Sequence, residues 1–217
     1  MPGLIALAGS LAAGVPDGEP RKVLRLNEIA LERYDPALTR MIREIHYTSF
    51  TCIRLLRYSS DMKIVPYLAE SWFLHPDGRT WEFSLCKDAR FSDGSLITSR
   101  DVRFSFERLL NPAIGSPYAQ LFTVIEGADE YRSGKAAGLS GIQTPDDATV
   151  RFCLTTPNNF FLSLLALGYS AVMKADPSWA ARPLERGELV SAGPFMLAPD
   201  SDPAVDRLVA NPRFVNG

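Results

Sequence analysis

Asp77-Gly78 constrains this chain more than any other feature, because its flanking residues leave little choice of local structure. A two-residue hairpin turn needs residues that accept positive φ, and Asp-Gly supplies them. Trp72 and Phe73 lie before the turn, and Trp81, Phe83 and Leu85 alternate after it. A period of two places those last three on one strand face and Glu82, Ser84 and Cys86 on the other. The first set is therefore expected in the core. Elsewhere Trp72, Phe104 and Phe106 are read the same way, as scaffold before contact residues.

Similar punctuation divides the rest of the chain. Val23-Leu24-Arg25-Leu26 alternates as a strand does, and Asp35-Pro36 interrupts the chain before the next element. Leu38, Met41, Ile42 and Ile45 recur at helical spacing, predicting a helix to about Phe50 with its apolar stripe against a sheet. Leu55-Leu56-Arg57-Tyr58 reads as a short strand ended by Ser59-Ser60-Asp61. After a second turn at Asp93-Gly94, Thr98 is placed to cap a helix, with Asp101 reaching back from the third position. Val102, Phe106, Leu109 and Leu110 continue that helix until Asn111-Pro112 stops it.

Further along, residues 126–135 are expected to be helical, and Val150, Phe152 and Leu154 alternate as a half-buried strand. A helix through Phe160, Phe161, Leu164 and Leu165 comes next, then short strands at Phe195-Met196-Leu197 and over 205–209. Residues 175–192, carrying Pro177, Pro183 and Gly187, suit a surface connection. Strands and helices mix without strict βαβ alternation. The expected class is α/β in its mixed α+β form, with a mixed sheet.

Composition excludes several functions. A net charge of -2 over 217 residues, with Lys and Arg scattered, gives no footprint for nucleic acid. No apolar run approaches the ~20 residues of a membrane-spanning helix. Cys52, Cys86 and Cys153 lack the spacing of a metal site. Free thiols are the expectation, with a Cys86–Cys153 bridge between neighbouring strands as the alternative. His46 and His75 are the only histidines, and no GxSxG, HExxH or phosphate-binding glycine motif is present, so neither an enzyme nor a cofactor is expected. Asp200 and Asp202 offer far fewer oxygens than the six to eight calcium takes, and read as a polar loop. Residues 4–14 have the small, apolar texture of a signal-peptide core without the basic residues that should precede it. Residues 1–22 are thus either a truncated signal peptide or a disordered leader.

Several segments together resemble one family. Pro66-Tyr67-Leu68-Ala69-Glu70-Ser71-Trp72, the run from His75 to Leu85, and Arg90-Phe91-Ser92-Asp93-Gly94 are similar to the signature of family 5 extracellular solute-binding proteins. The order continues through Thr98 to Arg108, Ser116-Pro117-Tyr118-Ala119, Thr149 to Leu154 and Ser191-Ala192-Gly193-Pro194-Phe195. Members of that family capture peptides and related solutes for ABC importers. The resemblance implies the N-terminal part of a periplasmic binding protein-like II fold. Residues 23–52 and 173–217 would belong to the first lobe and 53–172 to a small accessory domain, the opposing lobe being absent.

The resemblance also implies a site. Tyr118 would stand at the mouth of the cleft, facing ligand, the plainer reading being a tyrosine that steadies the turn after Pro117. Thr39-Arg40-Met41-Ile42 would line the cleft. Arg40, where peptide binders carry an acidic residue, would favour a carboxylate-bearing ligand or else be a surface charge. Gly193 is expected to serve the backbone through positive φ. Implied partners are a small solute, a peptide first, and the permease of an ABC transporter, in the periplasm or at the cell surface. No nucleic acid is implied, and the membrane is met only through the transporter. The competing readings are a cytoplasmic ligand-sensing domain of a transcriptional regulator and, more remotely, a hydrolase.

Overall fold

The structure, a computed structural model, describes residues 31–201 and 205–214. The leader and the strand expected at Val23-Leu24-Arg25-Leu26 lie outside the described residues, as does Asp202.

A 3-10 turn at Pro36–Leu38 precedes helix α1, Ile42–Thr51. Strands β1, Leu56–Tyr58, and β2, Ile64–Pro66, form an antiparallel hairpin. Strands β3, Ala69–Leu74, and β4, Thr80–Leu85, come next, then helix α2, Ser99–Leu110. A short helix α3, Ala128–Arg132, leads to β5, Ile142–Asp146, and β6, Thr149–Cys153. The short helix α4, Phe161–Leu165, and a final hairpin of β7, Phe195–Leu197, with β8, Leu208–Ala210, complete the order.

The central sheet is antiparallel with strand order β3-β4-β6-β5. The Asp77-Gly78 turn joins β3 to β4, but as a loop longer than two residues: the His75 N–H donates to the Thr80 carbonyl across it at 2.8 Å, and of the two only Gly78 takes positive φ. Gly78 has φ +71°, and the Asp77 carboxylate accepts from the backbone N–H of Arg79 and Thr80 at 3.0 and 2.9 Å. Phe83 and Leu85 are buried, whereas Trp81, nearer the turn, is half-buried. Strand β5 forms without any periodicity to announce it. Gln143, Pro145 and Asp146 do not read as a strand, yet the segment pairs at the sheet edge, where a missing N–H costs little.

Helix α2 lays Val102, Phe106, Leu109 and Leu110 on this sheet, all buried. Phe152 is the hub: its ring centroid lies 5.8 Å from Phe83, 5.1 Å from Phe106 and 5.3 Å from Phe161. Burying a ring of that size stabilises by roughly 1.5–3 kcal/mol. The predicted cap holds, since the Asp101 carboxylate accepts from the Thr98 N–H at 2.7 Å. Phe104, expected in the core, is only half-buried. Two positions from both Val102 and Phe106, it is rotated about 200° from them, towards the opposite side of the helix.

Helix α1 departs most from expectation. Met41 and Ile42 are 45% and 67% exposed, and the buried positions are Glu44, Tyr47, Thr48 and Thr51. The predicted stripe counted residues on both sides of a break: Thr39 and Met41 have extended ψ values of 133° and 151°. The two threonines can face inward because the helix satisfies their hydroxyls. Thr48 and Thr51 donate to the carbonyls of Ile45 and Tyr47, at 3.0 and 2.8 Å. Similarly, Phe160 is not part of α4 but caps it, 75% exposed.

Residues 175–192 are more than a surface connection. Leu184 is buried, and the carbonyls of Trp179 and Arg182 accept from Arg108 of α2, both at 2.7 Å. Arg108 is itself fully buried against Asp35. Asp35 also accepts from the N–H of Ala37 and of Leu184, at 2.9 and 2.8 Å. One guanidinium thereby fixes the segment that leads into α1.

Candidate functional site

Held at Asp35, the chain leaves its 3-10 turn with extended backbone at Thr39 and Met41. Two side chains from one loop grip its carbonyls. Ser116 Oγ donates to the Ala37 carbonyl and Tyr118 Oη to the Thr39 carbonyl, each at 2.7 Å. Ser116 Oγ also accepts from the Tyr118 N–H at 3.2 Å, which steadies the Pro117 turn. The Ser-Pro-Tyr motif is therefore a clamp on the approach to α1.

The clamp presents an aromatic platform. The Tyr118 ring stacks on Tyr169 with centroids 4.2 Å apart and planes at 21°. Phe122 meets Tyr169 edge-on at 6.0 Å. Burial is the largest cause that pushes the Tyr169 phenol above its usual range, followed by the neighbouring phenols of Tyr118 and Tyr58. Tyr169 sits in a short 3-10 turn, Gly168–Ser170, beside the middle of α1. Sequence reasoning missed it, because a lone aromatic in a Gly-Tyr-Ser turn carries no periodicity.

The two other predicted site residues lie next to the clamped carbonyl. Arg40 is exposed; its N–H donates to Glu44 Oε2 at 2.6 Å, and its guanidinium has no partner among the described residues. Ile42 opens α1 and stands out to solvent beside Met41. Leu167, just before the Tyr169 turn, is a further exposed apolar residue. This surface can stack on planar groups, pack on apolar side chains and attract an anion. Tyr118 has spent its own proton on Thr39, so towards any ligand its oxygen acts as an acceptor.

The remaining expectations resolve simply. Gly193 is needed for close approach, not for positive φ. A Cβ there would lie 2.5 Å from the Phe50 carbonyl oxygen and 2.8 Å from the Cys52 nitrogen. The N–H groups of Ala192 and Gly193 both donate to the Thr51 carbonyl, docking the β7–β8 hairpin on the end of α1. The three cysteines are free thiols. A Cys86–Cys153 bridge is not formed because the register sets Cys153 opposite Thr80, leaving Cys86 roughly 20 Å further along the strand. Burial pushes the Cys52 thiol up to about 12. His75 lies 3.4 Å from Glu82, which also accepts from Arg151. No group of three metal-ligating side chains occurs among the described residues.

Comparisons with known proteins agree with this architecture. The family described as bacterial extracellular solute-binding proteins, family 5 middle, matches residues 63–217. The periplasmic oligopeptide-binding protein OppA of Escherichia coli (strain K12) is 31% identical over 206 residues, covering 91% of this chain and 37% of that protein. The dipeptide-binding protein DppE of Bacillus subtilis (strain 168) is 32% identical over 149 residues, covering 66% of this chain and 27% of that one. The crystal structure of Haemophilus influenzae OppA in complex with RPPGFSPFR superposes with a TM-score of 0.73 at 28% identity, covering 84% of this chain and 37% of that one. The chain thus spans a little over a third of the OppA relatives' length. On this match, the mixed α/β chain belongs to the family 5 extracellular solute-binding proteins.

Proposed function

We propose that these residues form one wall of a solute-binding cleft, and that the solute is a peptide delivered to the permease of an ABC transporter. The observation that carries this reading is the clamp: Tyr118 holds the Thr39 carbonyl and stacks on Tyr169, beside exposed Arg40, Met41 and Ile42. Rigid aromatic and apolar surface left in solvent, next to a guanidinium unpaired among the described residues, is what a closing partner surface would complete. The relatives named as oligopeptide- and dipeptide-binding proteins support a peptide, and their periplasmic designation supports a place in the periplasm or at the cell surface. In this reading Tyr118 and Ile42 pack against the ligand, and Arg40 attracts a carboxylate on it.

The proposed lobe division has its own support. The β7–β8 hairpin docks on α1, linking residues 23–52 with 173–217. The central sheet is built entirely from residues 53–172. In this reading the first set is lobe and the second is accessory domain.

One wall buries much less of a ligand than a closed cleft, so these 217 residues alone should bind peptides weakly. Titration of the isotope-labelled chain with short peptides should move the amide resonances of Thr39 to Ile42, Tyr118 and Tyr169 first, without saturating at micromolar concentration. Shifts confined to other surfaces, or a micromolar complex by calorimetry, would overturn the proposal.

A further inference from the structure

A second recess, independent of that reading, gathers positive charge with no carboxylate of the described residues paired to it. It measures about 430 Å³ and is lined by Arg54, Arg57, Tyr58, Tyr67, Pro194 and Phe214. Both guanidinium carbons lie 5.7 Å from the centroid of the Tyr67 ring. Phe214 meets the same ring edge-on at 6.2 Å. Arg54 is half-buried, its Nε is out of solvent, and that Nε has no hydrogen-bond acceptor among the described residues.

Arg43 Nε also lacks an acceptor among the described residues, but Arg43, like the other arginines that turn inward, has a carboxylate partner, Glu32. Arg108 pairs with Asp35, Arg151 with Glu82, Arg182 with Glu188 and Arg186 with Asp206. Arg54 and Arg57 have no ion pair with any described carboxylate. Burial lowers the Arg54 pKa, and the groups acting on it are Tyr67, Cys52 and the like charge of Arg57, with no acid among them. A cation over a ring at nearly 6 Å is at the outer limit of a useful contact, and the ring offers no acceptor for the N–H groups. Two guanidiniums that line one recess suit a carboxylate, whose two oxygens accept from such N–H groups.

We infer that this recess is an anion-binding subsite that takes a carboxylate carried next to an apolar or aromatic group. The guanidiniums of Arg54 and Arg57 hold the two oxygens, while Tyr67, Pro194 and Phe214 pack on the adjacent apolar group. The ammonium end of a ligand, or a neutral amide, has no complement here.

The test uses N-acetylphenylalanine, its neutral amide and inorganic phosphate, each titrated into the 217-residue chain in chloride-poor buffer and followed by calorimetry and thermal unfolding. The acid should bind saturably and raise the unfolding temperature, with the amide at least about tenfold weaker. Arg57→Gln, an exposed position that leaves the core intact, should weaken the acid about tenfold, and Arg54→Gln at least as much. Equal binding of acid and amide, or binding untouched in both variants, would overturn the inference. So would phosphate binding without carboxylate binding. A chain indifferent to the acid, but destabilised by Arg57→Gln, would show that a carboxylate of the protein itself fills the recess, and would also overturn it.

Discussion

Arg108 Nη1 donates to Asp35 Oδ1 at 2.8 Å, and Nη2 to Asp35 Oδ2, across 73 residues of sequence. Both side chains are 1% exposed, and the other guanidinium N–H groups turn to the Trp179 and Arg182 carbonyls and to Met173 Sδ. Such a pair adds little net stability over an apolar isostere, because desolvation offsets the attraction. Breaking it from one side is another matter.

Arg108→Ala should cost about 3–5 kcal/mol, since Asp35 is then left buried and charged without its partner. Asp35→Ala should cost a similar amount. Because the pair acts as a unit, the double variant should fall well short of the sum of the two. Urea denaturation of the four proteins tests this, and additive costs would refute it. A further consequence is local: without Arg108, the Thr39 carbonyl should lose its register with Tyr118, visible as faster amide exchange over 37–41.

Gly193→Ala should destabilise by about 1–3 kcal/mol, the usual cost of forcing a methyl group into a packed site. The new Cβ would meet the Phe50 carbonyl oxygen at 2.5 Å and the Thr51 carbonyl carbon at 2.7 Å, both backbone and unable to yield cheaply. A wild-type midpoint for Gly193→Ala in denaturant would contradict this close approach.

Acid sensitivity should trace in part to the hairpin turn. Asp77 accepts from Thr80 Oγ1 and from the N–H groups of Arg79 and Thr80, and these bonds hold its carboxyl down from 3.8 to about 2. A carboxyl depressed in the folded state binds its proton more readily when unfolded. Its contribution is therefore complete above about pH 4 and is lost as pH falls through about 2. Asp77→Asn should flatten that part of the stability profile, measured by denaturation between pH 4 and pH 2. An unchanged acid limb would be inconsistent with the bonding seen here.

Much of the scaffold is legible in the residues because local rules and tertiary packing agree there. The Asp77-Gly78 turn, the Thr98–Asp101 cap and the spacing from Val102 to Leu110 each specify the element that forms. Two of the site's elements were legible only through family resemblance: the Ser-Pro-Tyr motif and the segment 39–42. Nothing local says that Tyr118 reaches back 79 residues to the Thr39 carbonyl, or that Tyr169 stacks against it. Helix α1 misleads by periodicity, because its apolar residues were left in solvent and its hydroxyls turned inward. Arg108 is hidden for a similar reason. In the sequence it looks like a favourable charge in the last turn of a helix, and only its distant acceptors make it a core residue.

The exposed start of α1 yields the last prediction. Ile42 at 67% and Met41 at 45% exposure place apolar area in water on a surface held rigid by the Tyr118 clamp. Covering an aliphatic side chain gains roughly 1.5–3 kcal/mol when burial is complete. Two copies that cover each other's Ile42 and Met41 therefore gain several such contributions without any change in fold. Sedimentation of the 217-residue chain should show concentration-dependent association, and Ile42→Asp should suppress it while leaving the unfolding free energy within about 0.5 kcal/mol of the parent. The polar variant keeps the Glu44 bonds to the Arg40 and Met41 N–H groups, so the helix start survives. A chain that stays monomeric at high concentration, or one whose association is unaffected by Ile42→Asp, would show that this surface is not a sticky face awaiting a cover.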